Sequence, residues 1–236
     1  MLFRKSVRKS WLGVKYVVKL KLNDKEIEAE KGKTLLEIAL ENGFDIPHLC
    51  MLKDLYYGTS CRLCLVMTSR GKLIPSCYYR VSGNEEFIVD SPELREIRRV
   101  NFELILSYHK VECWLCNRKG NCKLMDISRK LGVEGLPVCS QCPLAPDECL
   151  LTKGILCLGM ITLSGCDAEC ITSGGQCWGC RGPVTREDIL ERAFRRYKEL
   201  GFDLNDVLFR AEIFWNSLKE FERIREVVEK VKGDDK

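Results

Sequence analysis

Apolar and polar positions alternate from Lys15 to Leu22, with Tyr16, Val18, Leu20 and Leu22 on one side against Lys19 and Lys21 on the other. A period of two marks a strand with one buried face. Asn23-Asp24 supplies a turn and Glu26–Ala29 a second short strand, so the opening predicts a hairpin. Thr34 then opens a helix through Leu35, Leu36, Ile38 and Ala39 that stops at Gly43. Further short strands are predicted around Leu63–Thr68, Lys72–Pro75 and Glu86–Val89. Ser91-Pro92-Glu93 starts a long helix through Tyr108, with Leu94, Ile97, Val100, Leu104 and Ile105 as its apolar face.

Periodicity fades from Cys113 to Cys180, where 11 cysteines fall in 68 residues among many glycines and prolines. Such a stretch folds mainly around metal. After Gly182-Pro183, Thr185 and Asp188 form a capping-box-like helix start, and Ile189, Leu190, Ala193, Phe194 and Tyr197 carry that helix to Gly201. A last helix carries Val207, Ala211, Phe214, Leu218, Phe221, Arg225 and Val228. This pair reads as a hairpin that either packs on the cysteine-rich stretch or docks a partner subunit.

The fold class is therefore α+β. Strand-turn-strand-helix is the opening of a β-grasp domain, followed by a loop-rich cysteine module and a C-terminal helical hairpin. The expected stretches are a basic extension at 1–14, the β-grasp domain at 15–90, a helix with His and Cys at 91–135, an eight-cysteine module at 136–183 and the hairpin at 184–236.

Composition narrows the chemistry. The 236 residues suffice for one or two domains with a buried core. A net charge of +4, from 38 Lys+Arg against 34 Asp+Glu, is a weak signal for nucleic acid, and no such partner is expected. The 15 cysteines against 2 histidines are the outlying numbers, and an odd count in a chain this long argues against a disulfide framework. No apolar run approaches the roughly 18–20 residues of a membrane span. Arg4, Lys5, Arg8, Lys9 and Lys15 precede no long apolar core, so the N-terminus does not read as a signal peptide. The expectation is a soluble, cytoplasmic protein whose thiols stay reduced or bind metal.

The cysteines fall into spaced sets. Cys50-x10-Cys61-x2-Cys64-x12-Cys77 offers four thiolates, a number that completes either a [2Fe–2S] or a zinc site. Gly58 relaxes the loop ahead of the central pair, and His48 reads as packing or surface, because four cysteines already fill the site. His109-x3-Cys113-x2-Cys116-x5-Cys122 joins one imidazole to three thiolates, a set suited to zinc or to a [4Fe–4S] cluster. Cys139, Cys142, Cys149, Cys157, Cys166, Cys170, Cys177 and Cys180 make two further four-thiolate sites. These sets use every cysteine, so no thiol is left to serve as a nucleophile.

The run Cys61-Arg62-Leu63-Cys64-Leu65-Val66, the segment from Cys116 to Cys122 and Leu124-Met125-Asp126 resemble the iron–sulfur subunits of respiratory NADH dehydrogenase and of NAD-linked or electron-bifurcating oxidoreductases. The resemblance covers about Lys15 to Leu131. It implies a [2Fe–2S] cluster on Cys50, Cys61, Cys64 and Cys77, and a [4Fe–4S] cluster on His109, Cys113, Cys116 and Cys122. Ile155-Leu156-Cys157-Leu158-Gly159, Gly165-Cys166-Asp167-Ala168 and Cys177 through Pro183 are similar instead to the C-terminal region of cytoplasmic nickel–iron hydrogenase small subunits. That resemblance implies a distal-like [4Fe–4S] cluster on Cys139, Cys142, Cys149 and Cys157, and a medial-like one on Cys166, Cys170, Cys177 and Cys180. The flavodoxin-like domain of those subunits has no counterpart here, since a β-grasp domain stands in its place.

With four such clusters bound, the net charge moves from +4 to about −3. No Gly-x-Gly-x-x-Gly follows a strand, and Lys31-Gly32-Lys33-Thr34 lacks the earlier glycine of a phosphate loop, having Ile27 there. No general base or catalytic residue is evident. Trp114 and Trp178 lie in cysteine loops, where they are expected to shield sulfur from water. The resemblances imply an electron-transfer subunit that works with a flavin- and NAD(P)H-binding partner carrying FMN or FAD. Ferredoxin or a hydrogenase module stands at the other end. A non-bifurcating NAD-linked hydrogenase, a formate dehydrogenase and a zinc-rich interaction module are the alternatives.

Overall fold

The computed structural model describes residues 17–52, 56–133 and 135–233. The basic extension at 1–14, and the start of the first strand at Lys15 and Tyr16, lie outside them. The chain divides into two compact units, Met1–Phe102 and Glu103–Lys236, each with its own core.

In the first unit β1 (Val17–Leu22) and β2 (Lys25–Glu30) pair antiparallel, Leu20 opposite Ile27 and Leu22 opposite Lys25. Asn23 makes the turn with φ of 51°, a region its short amide side chain tolerates. That side chain also accepts from the Val89 amide at 2.8 Å, so the turn is tied to the end of the sheet. α1 (Leu35–Glu41) follows as expected. Thr34 and Glu37 form a full capping box, with Glu37 N–H donating to Thr34 Oγ1 at 3.2 Å and Thr34 N–H to Glu37 Oε2 at 2.9 Å. The residues that imitate a phosphate loop thus build an ordinary helix start.

β3 (Met51–Leu52) and β4 (Tyr56–Tyr57) make a small antiparallel pair. β5 (Leu65–Thr68), β6 (Leu73–Pro75) and β7 (Glu85–Ile88) complete a five-stranded mixed sheet of order β2-β1-β7-β5-β6, in which β1 and β7 run parallel. The first hairpin, the helix after it and the closing parallel strand agree with the β-grasp expectation. Leu20, Leu22, Ile27, Leu35, Leu36 and Phe87 share one core between the sheet and α1. Each such side chain contributes about 1.5–3 kcal/mol on burial.

α2 (Pro92–Tyr108) is present, and its buried face keeps Leu94 of the expected stripe but not Val100 or Leu104. Leu94, Arg98, Phe102 and Leu106 point inward, whereas Val100 and Leu104 are more than half exposed. The inner stripe contains an arginine, which an apolar count passes over. Arg98 is 2 % exposed and is accommodated by donating at 2.7 Å to the carbonyls of Leu65 and Val89.

The second unit carries more helix than the fading periodicity indicates. α3 (Lys123–Leu131) buries Met125 and Ile127 and closes on Gly132 in the left-handed region. Single 3-10 turns and the short α4 (Glu169–Thr172) connect the cysteines beyond it. α5 (Glu187–Glu199) buries all five expected apolar residues. Its predicted capping box does not form: the N-cap is Arg186, and Asp188 pairs with Arg186 and Arg192 at 2.9 and 2.6 Å. Two guanidiniums bind the carboxylate more strongly than the single Thr185 backbone N–H of a capping box would.

The expected last helix is two helices, α6 (Leu204–Trp215) and α7 (Lys219–Gly233), so the hairpin is a three-helix layer. The break lets Trp215 turn fully inward while Phe214 stays half-exposed. Arg225, expected on the last helix, lies over the Phe221 ring at 4.8 Å and pairs with Glu212 at 2.5 Å.

Candidate metal centres

Cys50 and Cys77, 27 positions apart in the chain, both place Sγ against the Gly58 carbonyl, at 3.0 and 3.1 Å. Cys50 Sγ lies 3.3 Å from Cys61 Sγ, and Cys64 and Cys77 form a second close pair. The Cys64 carbonyl accepts from Ser76 N–H at 3.1 Å and Ser76 Oγ–H at 2.7 Å, which pins the two cysteine loops together. A hydrogen bond from the Cys77 thiol lowers the Cys64 thiol to about 6, and Cys77 is correspondingly pushed up. Burial opposes ionisation of Cys50, but the Cys61 amide and neighbouring side chains carry its pKa below the ordinary thiol value. All four expected thiols are therefore assembled, two of them already inclined to the thiolate that binds metal. His48 is half-buried with Nδ1 3.0 Å from the Ile46 carbonyl, in keeping with a packing role.

In the second unit His109 is exposed just past the end of α2. The turn before it is anchored by Arg186, which donates to the Leu106 carbonyl at 2.8 Å. Cys113 is pushed up to about 12 by burial, then by the charges of Cys122 and Cys116, so these three thiols share one neighbourhood. Trp114 beside them is buried, as expected.

Cys139, Cys142, Cys149 and Cys157 line a single narrow pocket. Cys166, Cys170, Cys177 and Cys180 line another, more open, of about 470 Å³. The two are in direct contact: Cys177 N–H donates to Cys157 Sγ at 3.4 Å, and Leu158 N–H to the Cys177 carbonyl at 3.0 Å. Burial raises Cys139 and Cys157, and takes Cys177 to about 12. Among the described residues no three His, Cys, Asp or Glu side chains converge on a point that would hold a single ion.

Three helix residues, of which the sequence reading names only Tyr197, hold these loops in place. Tyr197 Oη–H donates to the Cys157 carbonyl, and Trp215 Nε1–H to the Gly179 carbonyl, both at 2.6 Å. Arg210 donates to the Leu156 carbonyl at 2.7 Å and stacks over Trp178, 4.7 Å from its ring centre. Trp178 itself is 41 % exposed, a weaker screen against water than its position in the loop implies. The available signal was a Tyr and a Trp, each with a polar tip, at inward helix positions.

Residues 15–86 match a 2Fe-2S iron–sulfur cluster binding domain, and residues 98–136 match the NADH-ubiquinone oxidoreductase-G iron–sulfur binding region. The N-terminal half resembles the iron–sulfur subunits of NADH-linked oxidoreductases. The G subunit of NADH-quinone oxidoreductase from Rickettsia felis is 32% identical over 117 residues, 49% of this chain and 17% of the relative. The gamma subunit of the NAD-reducing hydrogenase HoxS of Cupriavidus necator is 33% identical over 110 residues, 47% of each chain. A solved NAD+-reducing [NiFe]-hydrogenase in the H2-reduced state aligns over 49% of each chain at 29% identity, with a TM-score of 0.46. The chain thus spans less than half the length of these curated relatives. No helix among the described residues is long and apolar enough to cross a membrane.

Proposed function

We propose that the chain is an electron-transfer subunit of a flavin-containing NAD(P)H-linked oxidoreductase, holding one [2Fe–2S] and three [4Fe–4S] clusters. Its ligands are Cys50, Cys61, Cys64 and Cys77 for the first, and His109, Cys113, Cys116 and Cys122 for the second. Cys139, Cys142, Cys149 and Cys157 hold the third, and Cys166, Cys170, Cys177 and Cys180 the fourth. The observation that carries this reading is the pair of four-cysteine pockets joined by the Cys177 amide and the Cys157 sulfur.

The clusters supply single-electron oxidation and reduction. The protein supplies everything else. Its thiols give up their protons on metal binding, the reverse of what burial favours for Cys113, Cys139 and Cys177, so metal occupancy is coupled to proton release. Backbone amides aimed at sulfur, such as Cys177 N–H, offset thiolate charge and adjust potential. The flavin, FMN or FAD, belongs to a partner subunit that takes a pair of electrons from NAD(P)H and passes them on singly. Ferredoxin or a hydrogenase module accepts them, in a bifurcating complex of the cytoplasm.

Anaerobically purified protein tests the reading through its metal. About 14 iron and as much sulfide per chain follow from these cluster types. Colourless protein with zinc in place of iron establishes the interaction module instead.

A further inference from the structure

Lys119 is the one charged side chain on the wall of the pocket that Cys139, Cys142, Cys149 and Cys157 line; the other lining residues are Leu, Met and Ile. Its Nζ is buried and has no hydrogen-bond partner among the described residues. Lys119 belongs to the loop between Cys116 and Cys122, and Gly120 brings that loop close to the third set. Gly120 has φ of +78°, and a Cβ there would lie 3.5 Å from the Cys142 carbonyl. The ammonium is felt electrostatically at Cys139 and at Cys113, members of two different sets.

A buried ammonium without partner is costly in an apolar setting unless an anion faces it. The pocket supplies that anion only when its four thiols are thiolates around a metal core, a site of about −2 when oxidised. Each electron that enters adds a negative charge, which a fixed cation favours.

We propose that Lys119 is a positioning charge for the cluster held by Cys139, Cys142, Cys149 and Cys157, raising its potential above what four thiolates alone set. The proposal rests on the four-cluster reading. It assigns to the Cys116–Cys122 loop a role beyond ligation: carrying a counter-charge into the neighbouring site.

The test is a redox titration followed by EPR, on the full chain prepared anaerobically, comparing wild type with Lys119→Met and Lys119→Arg. The Met variant keeps the length of the side chain and loses its charge. Expected is a downward shift of one [4Fe–4S] midpoint, on the order of a tenfold bias against reduction, or ~59 mV for one electron. The [2Fe–2S] midpoint stays in place, and Lys119→Arg restores the wild-type value. Unchanged midpoints in Lys119→Met overturn the proposal. If Lys119→Met loses four irons, Lys119→Arg decides: retained iron shows that the charge is needed, and loss in both variants shows a steric role and overturns it. Wild-type protein that lacks iron fails the four-cluster reading itself, a result distinct from intact clusters that ignore the substitution.

Discussion

The backbone N–H of Cys177 donates to the sulfur of Cys157 across 3.4 Å, joining two cysteine sets that are separate in the chain. Gly159 lies beside this contact, where a Cβ would make ordinary van der Waals contacts of 3.4 Å with Cys139 Sγ and 3.5 Å with Cys157 Sγ. A short route of one hydrogen bond and a few covalent bonds therefore runs from one four-thiol pocket to the next. Tyr197 and Trp215 fix its two ends by holding the Cys157 and Gly179 carbonyls.

Trp215 is fully buried, so its loss acts on that junction. Trp215→Phe strands the Gly179 carbonyl and is expected to cost about 1–3 kcal/mol. Trp215→Ala adds a cavity, for about 3–5 kcal/mol in all. Denaturant unfolding of both variants, with iron counted at each step, checks the order. A Phe variant as stable as wild type removes the role given to the indole N–H.

Gly179 has φ of +93°, and a Cβ there would meet Leu158 and Trp215 at 3.2 Å. Gly179→Ala is expected to lose at least the ~1–2 kcal/mol of a left-handed alanine, and to weaken metal retention at Cys177 and Cys180 first. Thermal unfolding and iron retention on dilution measure the two effects separately.

His109 offers a second electrostatic test. Replacing a neutral imidazole by a thiolate adds a negative charge, so His109→Cys lowers the potential of one [4Fe–4S] cluster and leaves the others nearly in place. His48→Ala is the control and retains all four clusters. Identical EPR midpoints in wild type and His109→Cys would remove His109 from the ligand set.

Asp188 gives a pH dependence of known sign. Burial works against its ionisation, but Arg186 and Arg192 prevail and hold its carboxyl below the ordinary 3.8. A depressed folded value means stability that is present above the unfolded pKa and is lost as pH falls through the folded one. The pairs are partly exposed, so the contribution is discounted to about 0.2–1 kcal/mol. Urea midpoints of wild type and Asp188→Asn should differ near neutrality and converge in acid as the carboxyl is protonated in the folded state. A gap that widens in acid reverses the assignment.

The sequence by itself determined the opening of the first unit, from the hairpin to the first helix, and the inventory of donors. A period-two hairpin, a helix start at Thr34 and a helix end near Gly43 are local signals, settled by hydrogen bonds within a few residues, and each appears as read. The spacing of the cysteines is also written in the chain, which is why Cys50, Cys61, Cys64 and Cys77 are expected as one set. Tertiary structure decided what depends on residues far apart. It turned Arg98 rather than Val100 toward the core, because a carbonyl of β5 and one just past β7 were there to receive a guanidinium. It split the last helix so that Trp215 could reach the Gly179 carbonyl, 36 residues away in the chain. It also placed Lys119 on the wall of a pocket whose cysteines begin 20 positions later. Periodicity reports which side chains favour burial. It does not report which polar group, brought from elsewhere in the chain, will be waiting for them there.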